Sequence, residues 1–214
     1  MEVLQAFERA GAVLLDHHFV YSGGDHGPHY INADFLFPKT ELMNIIVDEM
    51  TMPWIHKAVE VVAGPPIGGL VLSTMAASNW LGPRAPELVW PDKDGKEFFF
   101  DRAGFAARLE GKRVLIYEDL LNSGGSVEKV KKQVELRGGI VVGVTVMCNR
   151  GIATAESLGV ECLEAQSTVK FDKFEPDKCP LCKEGRPIVE DIGHGHSYKE
   201  EHPEYEGGYI KLLS

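Results

Sequence analysis

The sequence predicts an α/β protein with a mostly parallel sheet and helices on both faces of that sheet. Short apolar runs typical of buried strands occur at residues 58–64, 112–119 and 139–148, and stretches with helical spacing of apolar residues lie between them. Strands that alternate with helices in this way indicate a parallel sheet, because each parallel crossover normally takes a helix. The hydrophobic and charged fractions, 44% and 25%, are those of an ordinary globular chain.

The first half of the chain is expected to contain two further helices and a polar loop before the first strand. Thr40 can cap the second helix, and Pro53 bends or ends it. The strand at 58–64 should stop at the two prolines that follow it, Pro65 and Pro66. In order, the expected elements are a helix over 2–16, a loop with short extended pieces over 19–32, a helix from about 41, the strand over 58–64 and a helix over 67–81.

The second half continues the same alternation. Residues 87–102 indicate a β-hairpin, since Asp94-Gly95 suits a tight turn. Beyond residue 170 the composition becomes rich in Pro, Cys, His, Glu and Lys, so we expect a domain over 1–170 and a loop-rich appendage over 171–214. The expected elements are the hairpin, a strand over 112–119, a helix over 126–137, a strand over 139–148, a helix near 152–158 and a strand near 160–165.

The charge and apolar pattern exclude several classes of protein. The net charge is −10, from 32 acidic and 22 basic residues, which argues against a general nucleic-acid partner. No apolar run approaches the ~20 residues needed to span a bilayer, so no membrane partner is expected. The amino-terminal segment lacks a basic region before a long apolar stretch. We therefore expect a cytoplasmic protein with reduced cysteines.

A phosphate-binding turn is the clearest functional pattern. The strand at 112–119 ends in Glu118 and Asp119, and a glycine-rich turn leads into the next helix. Ligands of open α/β sheets bind at the carboxyl ends of strands, and glycines at a helix start let backbone N–H groups approach a phosphate. Paired carboxylates suit a ribose diol or a Mg²⁺-bound sugar. The turn consists of Asn122, Ser123, Gly124, Gly125 and Ser126.

The alternative is an ordinary strand-to-helix turn with incidental glycines. The acid pair before the turn and the hydroxyls on both sides of the glycines favour a binding function. The turn is not a Walker loop, since no Gly-Lys-Ser or Gly-Lys-Thr follows, and it is not a GxGxxG motif.

Residues 114–126 resemble the 5-phosphoribosyl-1-pyrophosphate (PRPP) motif of type I phosphoribosyltransferases. The resemblance implies that Glu118 and Asp119 hold the ribose hydroxyls, that the turn at 122–126 holds the 5-phosphate, and that Mg²⁺ accompanies PRPP. It also implies an N-terminal hood on the α/β domain.

Further segments resemble the orotate-specific members of this family. The stretch Gly64, Pro65, Pro66 and Ile67 resembles their pyrophosphate loop. Tyr21-Ser22-Gly23 and Pro28-His29-Tyr30-Ile31-Asn32 resemble part of their base pocket, and Arg150 resembles the strand-end arginine that grips orotate. The resemblance therefore assigns base binding to Tyr21, Tyr30, Asn122 and Arg150, and it covers roughly residues 1–165.

The hairpin region occupies the place of the family's mobile catalytic loop. The resemblance implies that Asp119 and one or more of Lys93, Lys96 and Arg102 are catalytic, and we favour Lys96 because it follows the turn glycine. Few cations occupy this loop, and they alternate with acids. Their alternative role is to pair with those acids in solvent.

Two departures leave the acceptor base open. Tyr21 stands where orotate enzymes usually carry a lysine, and Asn122 stands where a threonine is usual. Transfer to orotate is the first expectation. The alternatives are transfer to another base such as a purine, or a regulator that binds PRPP without turnover. PRPP, a nucleobase and a second copy of the chain in a homodimer are the expected partners.

The tail carries a possible metal site. Cys179 and Cys182 form a lone CxxC, with His194 and His196 downstream. Two cysteines and two histidines can bind zinc, although this histidine spacing differs from that of a zinc finger. The alternative is a reduced cysteine pair at the surface with solvated histidines.

Overall fold

The computed structural model describes residues 3–81, 84–95, 97–102 and 104–213. Lys96, the favoured loop cation, lies outside the described residues.

Thirteen strands occur in the described residues, most of them two or three residues long, and the two longest are β9 and β10. In chain order they are β1 (Val13–Leu14), β2 (Phe19–Val20), β3 (His26–Gly27), β4 (Tyr30–Ile31), β5 (Val61–Ala63), β6 (Glu87–Leu88), β7 (Asp92–Asp94), β8 (Glu97–Phe99), β9 (Arg113–Leu121), β10 (Ile140–Asn149), β11 (Leu163–Thr168), β12 (Ile188–Val189) and β13 (Tyr209–Ile210).

Eight α-helices accompany these strands in the described part of the chain. They are α1 (Val3–Arg9), α2 (Thr40–Thr51), α3 (Gly68–Ser78), α4 (Phe105–Leu109), α5 (Gly125–Leu136), α6 (Ala155–Leu158), α7 (Pro180–Lys183) and α8 (Gly195–Glu201). Short 3₁₀ turns lie at Ala33–Phe35, Met52–Trp54 and Pro176–Lys178. None of the helices described combines the length and the apolar character that crossing a membrane requires.

The residues divide into two compact units, and the larger contains Met1–Ala6 and Lys39–Val169. Its sheet has five parallel strands in the order β11-β10-β9-β5-β6, flanked by helices. The central strands are apolar on both faces because helices cover both, and Val61, Ile116, Val127 and Val144 belong to the resulting core. The predicted fold class is confirmed.

Three expected elements differ from those observed. The first helix was expected to run to residue 16, but α1 ends at Arg9, and Gly11 follows with a φ of 69°. A left-handed residue stops a helix, and glycine adopts that conformation without strain. Thr40 is the first residue of α2 and Lys39 takes the cap position. Glu87–Leu88 joins the main sheet beside β5, so the hairpin is limited to β7 and β8.

The second unit contains Phe7–Pro38 and Lys170–Ser214. It is built from the two-stranded pairs β1–β4, β2–β3 and β12–β13. Backbone bonds join its two chain segments, because His26 and Phe174 form an antiparallel bridge and the Val189 N–H donates to the His18 carbonyl. Residues 7–38 therefore share a unit with the tail rather than with the rest of 1–170. The functional assignment of 1–170 and 171–214 stays a prediction.

Candidate active site

The acid pair stands where the central strand of the larger sheet reaches its carboxyl end. Glu118 is only 6% exposed and Asp119 is half-buried. The Glu118 Oε1 accepts the Asp119 N–H at 3.1 Å, and the Asp119 Oδ1 accepts the Leu120 N–H at 2.8 Å. These bonds hold both carboxyl groups at the end of β9.

Burial raises the pKa of the Glu118 carboxyl well above its usual range, and the neighbouring Asp119 carboxylate raises it further. Two carboxyl groups this close resist joint ionisation, so Glu118 favours its neutral form. A neutral carboxyl both donates and accepts hydrogen bonds, whereas a carboxylate only accepts. The pair is therefore suited to bind the two hydroxyls of a vicinal diol.

The glycine-rich turn after β9 leads directly into α5. Gly124 has a φ of +96°, and a Cβ placed on it would lie 2.3 Å from the Leu158 Cδ2. Gly125 begins α5 and has open space around its Cα. Asn122, Ser123, Gly125 and Ser126 are exposed. The first turn of α5 thus presents backbone N–H groups and hydroxyls to solvent, which is an anion-binding arrangement.

The loop after β5 leads into α3, and the start of α3 packs on the end of β9. The loop residues are Gly64, Pro65, Pro66 and Ile67, and the peptide bond between the last two is cis. A Cβ on Gly69 would lie 2.5 Å from the Tyr117 carbonyl oxygen, and a Cβ on Gly68 would lie 2.3 Å from the Asp119 Oδ2. Only glycine permits this approach, so the start of α3 and the Asp119 carboxylate are in immediate contact.

Arg150 lies at the end of the neighbouring strand, β10. Its backbone N–H donates to the Leu121 carbonyl at 2.7 Å, which fixes it beside the beginning of the glycine-rich turn. The Asn149 side chain braces this corner, because its amide donates to the Ala153 carbonyl and its oxygen accepts the Gly151 N–H, both at 2.9 Å. The larger unit therefore brings the acid pair, both loops and Arg150 to one edge of the sheet.

The loop cations are only partly described. Arg102 donates to the Asp92 carboxylate at 2.7 Å, and its guanidinium lies 5.2 Å from the centroid of the Trp90 ring. Lys93 is exposed on β7. The hairpin packs on α5, where Lys129 lies over the Phe98 ring. The pairing of Arg102 with an acid matches the alternative role considered for these cations, and the catalytic assignment stays a prediction.

The two tyrosines assigned to the base lie in the second unit. Tyr21 is largely buried, and its hydroxyl donates to the His29 carbonyl at 2.6 Å. The Tyr21 and Tyr30 rings stack with centroids 6.3 Å apart. The Tyr21 hydroxyl thus has a partner within its own unit, and the part of these tyrosines in base binding stays a prediction.

The tail cysteines meet different histidines from those expected. Among the residues described, the candidate metal ligands that converge are His18, His26, Cys179 and Cys182. His194 precedes α8, and His196 faces Glu200 at 3.5 Å. The sequence pattern did not indicate His18 and His26 as ligands because they lie far from the cysteines in the chain. The available signal was their position on either side of the turn that joins β2 and β3.

Comparison with known proteins identifies the family. No family model matches the chain. The orotate phosphoribosyltransferase of Desulforamulus reducens is 34% identical over 188 residues, which cover 88% of this chain and 94% of that protein. The chain belongs to the orotate phosphoribosyltransferase family. The expected resemblance is therefore confirmed.

Solved structures agree on the fold. The orotate phosphoribosyltransferase of Aeropyrum pernix matches 78% of this chain and 93% of its own, with a TM-score of 0.60 and 23% identity. The adenine phosphoribosyltransferase of Rhodothermus marinus matches 78% of this chain and 99% of its own, with a TM-score of 0.58 and 20% identity. Since the same fold is found in enzymes named for different bases, the fold alone does not select the acceptor of this orotate phosphoribosyltransferase family member.

Proposed function

We propose that the protein transfers the phosphoribosyl group of PRPP to orotate, giving orotidine 5′-monophosphate and pyrophosphate. The contact between Gly68 and the Asp119 carboxylate carries this proposal, because it places the acid pair against the start of α3, directly after the loop at 64–67. A diol-binding pair between two anion-binding loops has the layout that a sugar phosphorylated at both ends requires.

Each part of PRPP then has a partner of matching chemistry. Glu118 and Asp119 bind the ribose hydroxyls, and the turn at 122–126 binds the 5-phosphate at the start of α5. The loop at 64–67 binds the pyrophosphate through its backbone. The oxygen donors of the site fit a hard cation, and a Mg²⁺ ion bound with PRPP would neutralise charge on the leaving group.

The reaction is a displacement at the anomeric carbon of the ribose. The bond from that carbon to the pyrophosphate oxygen breaks, and a bond to the base nitrogen forms. Positive charge grows on the ring and negative charge on the pyrophosphate, so donors placed at the pyrophosphate stabilise the transition state. Lys93, Lys96 and Arg102 are the side chains proposed to approach it when the loop closes. Closure also excludes water, which would otherwise hydrolyse the sugar.

Orotate is the proposed acceptor because Arg150 is held beside the phosphate loop. An arginine can bind a carboxylate with two parallel hydrogen bonds, and orotate carries a carboxylate that purines lack. Asn122, exposed at the start of the turn, can bind a pyrimidine carbonyl. Orotate is already anionic, so no strong general base is required.

We also propose a cytoplasmic homodimer. All four cysteines are free thiols, as expected of a reducing compartment. Closed two-fold dimers are the commonest soluble oligomers, and orotate enzymes, which the chain resembles, share their sites across such an axis.

The proposed activity is tested by offering the protein a panel of nucleobases. The purified protein is incubated with PRPP, Mg²⁺ and, in turn, orotate, uracil, adenine and guanine, and pyrophosphate release is followed. We expect release with orotate only. Asp119→Asn should weaken PRPP binding by about 1–3 kcal/mol by calorimetry, and Asp48→Asn, an exposed acid on α2, is the matched control.

Three results contradict the proposal in distinguishable ways. Release with a purine alone assigns another base. If the protein binds PRPP but releases no pyrophosphate with any base, it is a regulator that binds PRPP without turnover. Unchanged PRPP affinity in Asp119→Asn removes the acid pair from the site.

A further inference from the structure

The second unit contains a compact group of nitrogen and sulfur donors. The His18 Nε2 lies 2.9 Å from the His26 Nδ1 and 3.7 Å from each of the two sulfurs, Cys179 Sγ and Cys182 Sγ. The Cys182 Sγ lies 3.2 Å from the His26 Nδ1. All four donor atoms lie within 4.8 Å of one another, and none of the four residues is exposed.

Two of these four separations match those of a tetrahedral metal site, and the other two are shorter. Zinc binds histidine nitrogen at ~2.0–2.1 Å and cysteine sulfur at ~2.3 Å, which places the donors of a tetrahedron ~3.4–3.8 Å apart. The two contacts of the His18 Nε2 with sulfur lie within that interval. The nitrogen pair is closer by about half an ångström and the Cys182 Sγ–His26 Nδ1 pair by about 0.2 Å, differences that small side-chain rotations at the two imidazoles can accommodate.

The backbone brings the donors together from two separate stretches of chain. The β2–β3 hairpin pairs Val20 with His26, and His18 lies two residues before Val20, so the two histidines are diagonal neighbours across the hairpin. The antiparallel bridge between His26 and Phe174 holds the segment that leads to the cysteines next to the hairpin. Cys179 caps α7 and Cys182 lies within it. The group is therefore a product of tertiary structure rather than of one local loop.

Surrounding contacts orient the donors for a metal. The His18 Nδ1 lies 3.0 Å from the Arg186 carbonyl oxygen, to which it donates, and this leaves the Nε2 lone pair facing the group. The Tyr205 hydroxyl donates to the same carbonyl at 2.8 Å.

We propose that His18, His26, Cys179 and Cys182 bind one Zn²⁺ ion that ties residues 7–38 to residues 170–214. Four protein ligands close the tetrahedron, so the site is structural and has no open position for substrate. A metal suits the junction of these two segments because one apolar cluster that joins them is small, with Phe19, Tyr21, Val189 and Ile192 as its buried members. Small cores are commonly supplemented by a metal.

The competing role for a CxxC at a helix start is a redox pair that cycles between dithiol and disulfide. The two cysteines alone would fit it. The two buried histidines favour the metal, because His18 lies beside both cysteine sulfurs and His26 lies beside that of Cys182. Because the proposed site lies wholly within the second unit, its test does not depend on phosphoribosyl transfer.

The experiment measures zinc in the full-length protein purified without added metal or chelator. We expect about one zinc per chain in the wild type. Cys182→Ser and His26→Ala should fall to background, whereas His26→Cys should retain the metal because Cys₃His is also a zinc-binding set. Two matched controls should keep a full complement: Cys162→Ser, a half-buried cysteine of the larger unit, and the double variant His194→Ala/His196→Ala.

A second measurement uses only the wild-type protein, so the proposal can be tested even if the variants do not fold. The chelator-treated wild type is titrated with Co²⁺, which should give the intense visible bands of tetrahedral cobalt and a near-ultraviolet thiolate charge-transfer band, and Zn²⁺ should remove both. Chelation should also lower Tm. Wild-type protein with neither zinc nor a tetrahedral cobalt spectrum overturns the proposal. So does full zinc in Cys182→Ser, or a Cys179–Cys182 disulfide in protein purified without reductant.

Discussion

At Glu118 the proposed binding role opposes the stability of the fold. Its carboxyl is buried beside Asp119, and both effects raise its pKa. In the unfolded chain the same group ionises near ~4.3. Above that pH the unfolded state releases its proton while the folded state retains it, so the free energy of unfolding falls until the folded-state pKa is passed.

We therefore expect Glu118→Gln to stabilise the protein at neutral and alkaline pH when no ligand is present. The glutamine oxygen can still accept the Asp119 N–H, so the local hydrogen bond is preserved. Tm of variant and wild type should agree at about pH 4 and diverge as the pH rises, with the variant higher. Glu161→Gln, at an exposed glutamate, should show no such divergence. A variant that melts below the wild type at alkaline pH contradicts the burial argument.

Arg150 is the residue on which the choice of base depends in this proposal. Arg150→Ala should raise KM for orotate about 10–100-fold, the range for losing a charged hydrogen bond, while KM for PRPP changes little. Initial rates at varied orotate and PRPP give both constants, and Arg84→Ala, at an exposed arginine, is the control. Equal changes in both KM values would make Arg150 a residue that only supports the corner after β10.

At the scale of elements, substitutions at the two glycines of the glycine-rich turn should distinguish an effect on folding from an effect on ligand binding. Gly124→Ala puts a side chain at a left-handed φ and against Leu158, so it should destabilise the fold by at least the ~1–2 kcal/mol of a left-handed residue. Gly125→Ala meets open space and should leave the free energy of unfolding within ~0.5 kcal/mol.

The same Gly125→Ala variant should nevertheless bind PRPP less tightly, because its Cβ enters the space proposed for the 5-phosphate. Denaturant unfolding and calorimetry on the same samples distinguish the two effects. If Gly125→Ala binds PRPP as the wild type does, the phosphate lies elsewhere.

The hairpin of β7 and β8 is expected to contribute to catalysis by stabilising the transition state. Lys96→Ala is expected to lower kcat and kcat/KM together by roughly 10²-fold while PRPP affinity hardly changes, the pattern for loss of a group that stabilises developing charge. Lys112→Ala, at the amino end of β9 and paired with Glu60, is the matched lysine control. Full turnover in Lys96→Ala, Lys93→Ala and Arg102→Ala alike would show that the loop is not catalytic.

The sequence predicted those elements whose pattern lies within one continuous stretch of residues. The strands β9 and β10 were anticipated because their apolar runs reflect burial on both faces. The acid pair and the glycine-rich turn were anticipated because strand end, turn and helix start are continuous in sequence. The contact between Gly68 and Asp119 joins the start of α3 to the end of β9, and no local pattern predicts it.

Elements defined by tertiary pairing were the ones mispredicted. Glu87–Leu88 was assigned to a hairpin because it is close to Glu97–Phe99 in sequence, yet it pairs with β5 in the main sheet. The tail cysteines were matched to nearby histidines, yet the fold brings them to His18, more than 160 residues away. Both errors arose from preferring neighbours in sequence to neighbours in space.

At the scale of the whole molecule, we propose that two copies of the chain form a homodimer. Light scattering at micromolar concentration should give twice the chain mass of 23.6 kDa. A dimer is expected on the resemblance to orotate enzymes, in which the loop of one subunit reaches the site of the other. A monomeric mass would place the loop and the acid pair of each site on one chain.

Mixing two impaired variants, assayed at PRPP concentrations too low to saturate Asp119→Asn, tests whether the sites are shared. Lys96→Ala lacks the proposed loop cation and Asp119→Asn lacks an acid of the PRPP site, so each homodimer has two defective sites. If the loop acts on the partner's site, each mixed dimer carries both defects in one site and none in the other. Random exchange makes half of the dimers mixed, so the mixture should recover about a quarter of wild-type activity. If instead each loop serves its own chain, exchanged subunits recover nothing, and exchange itself can be checked with subunits labelled by different fluorophores.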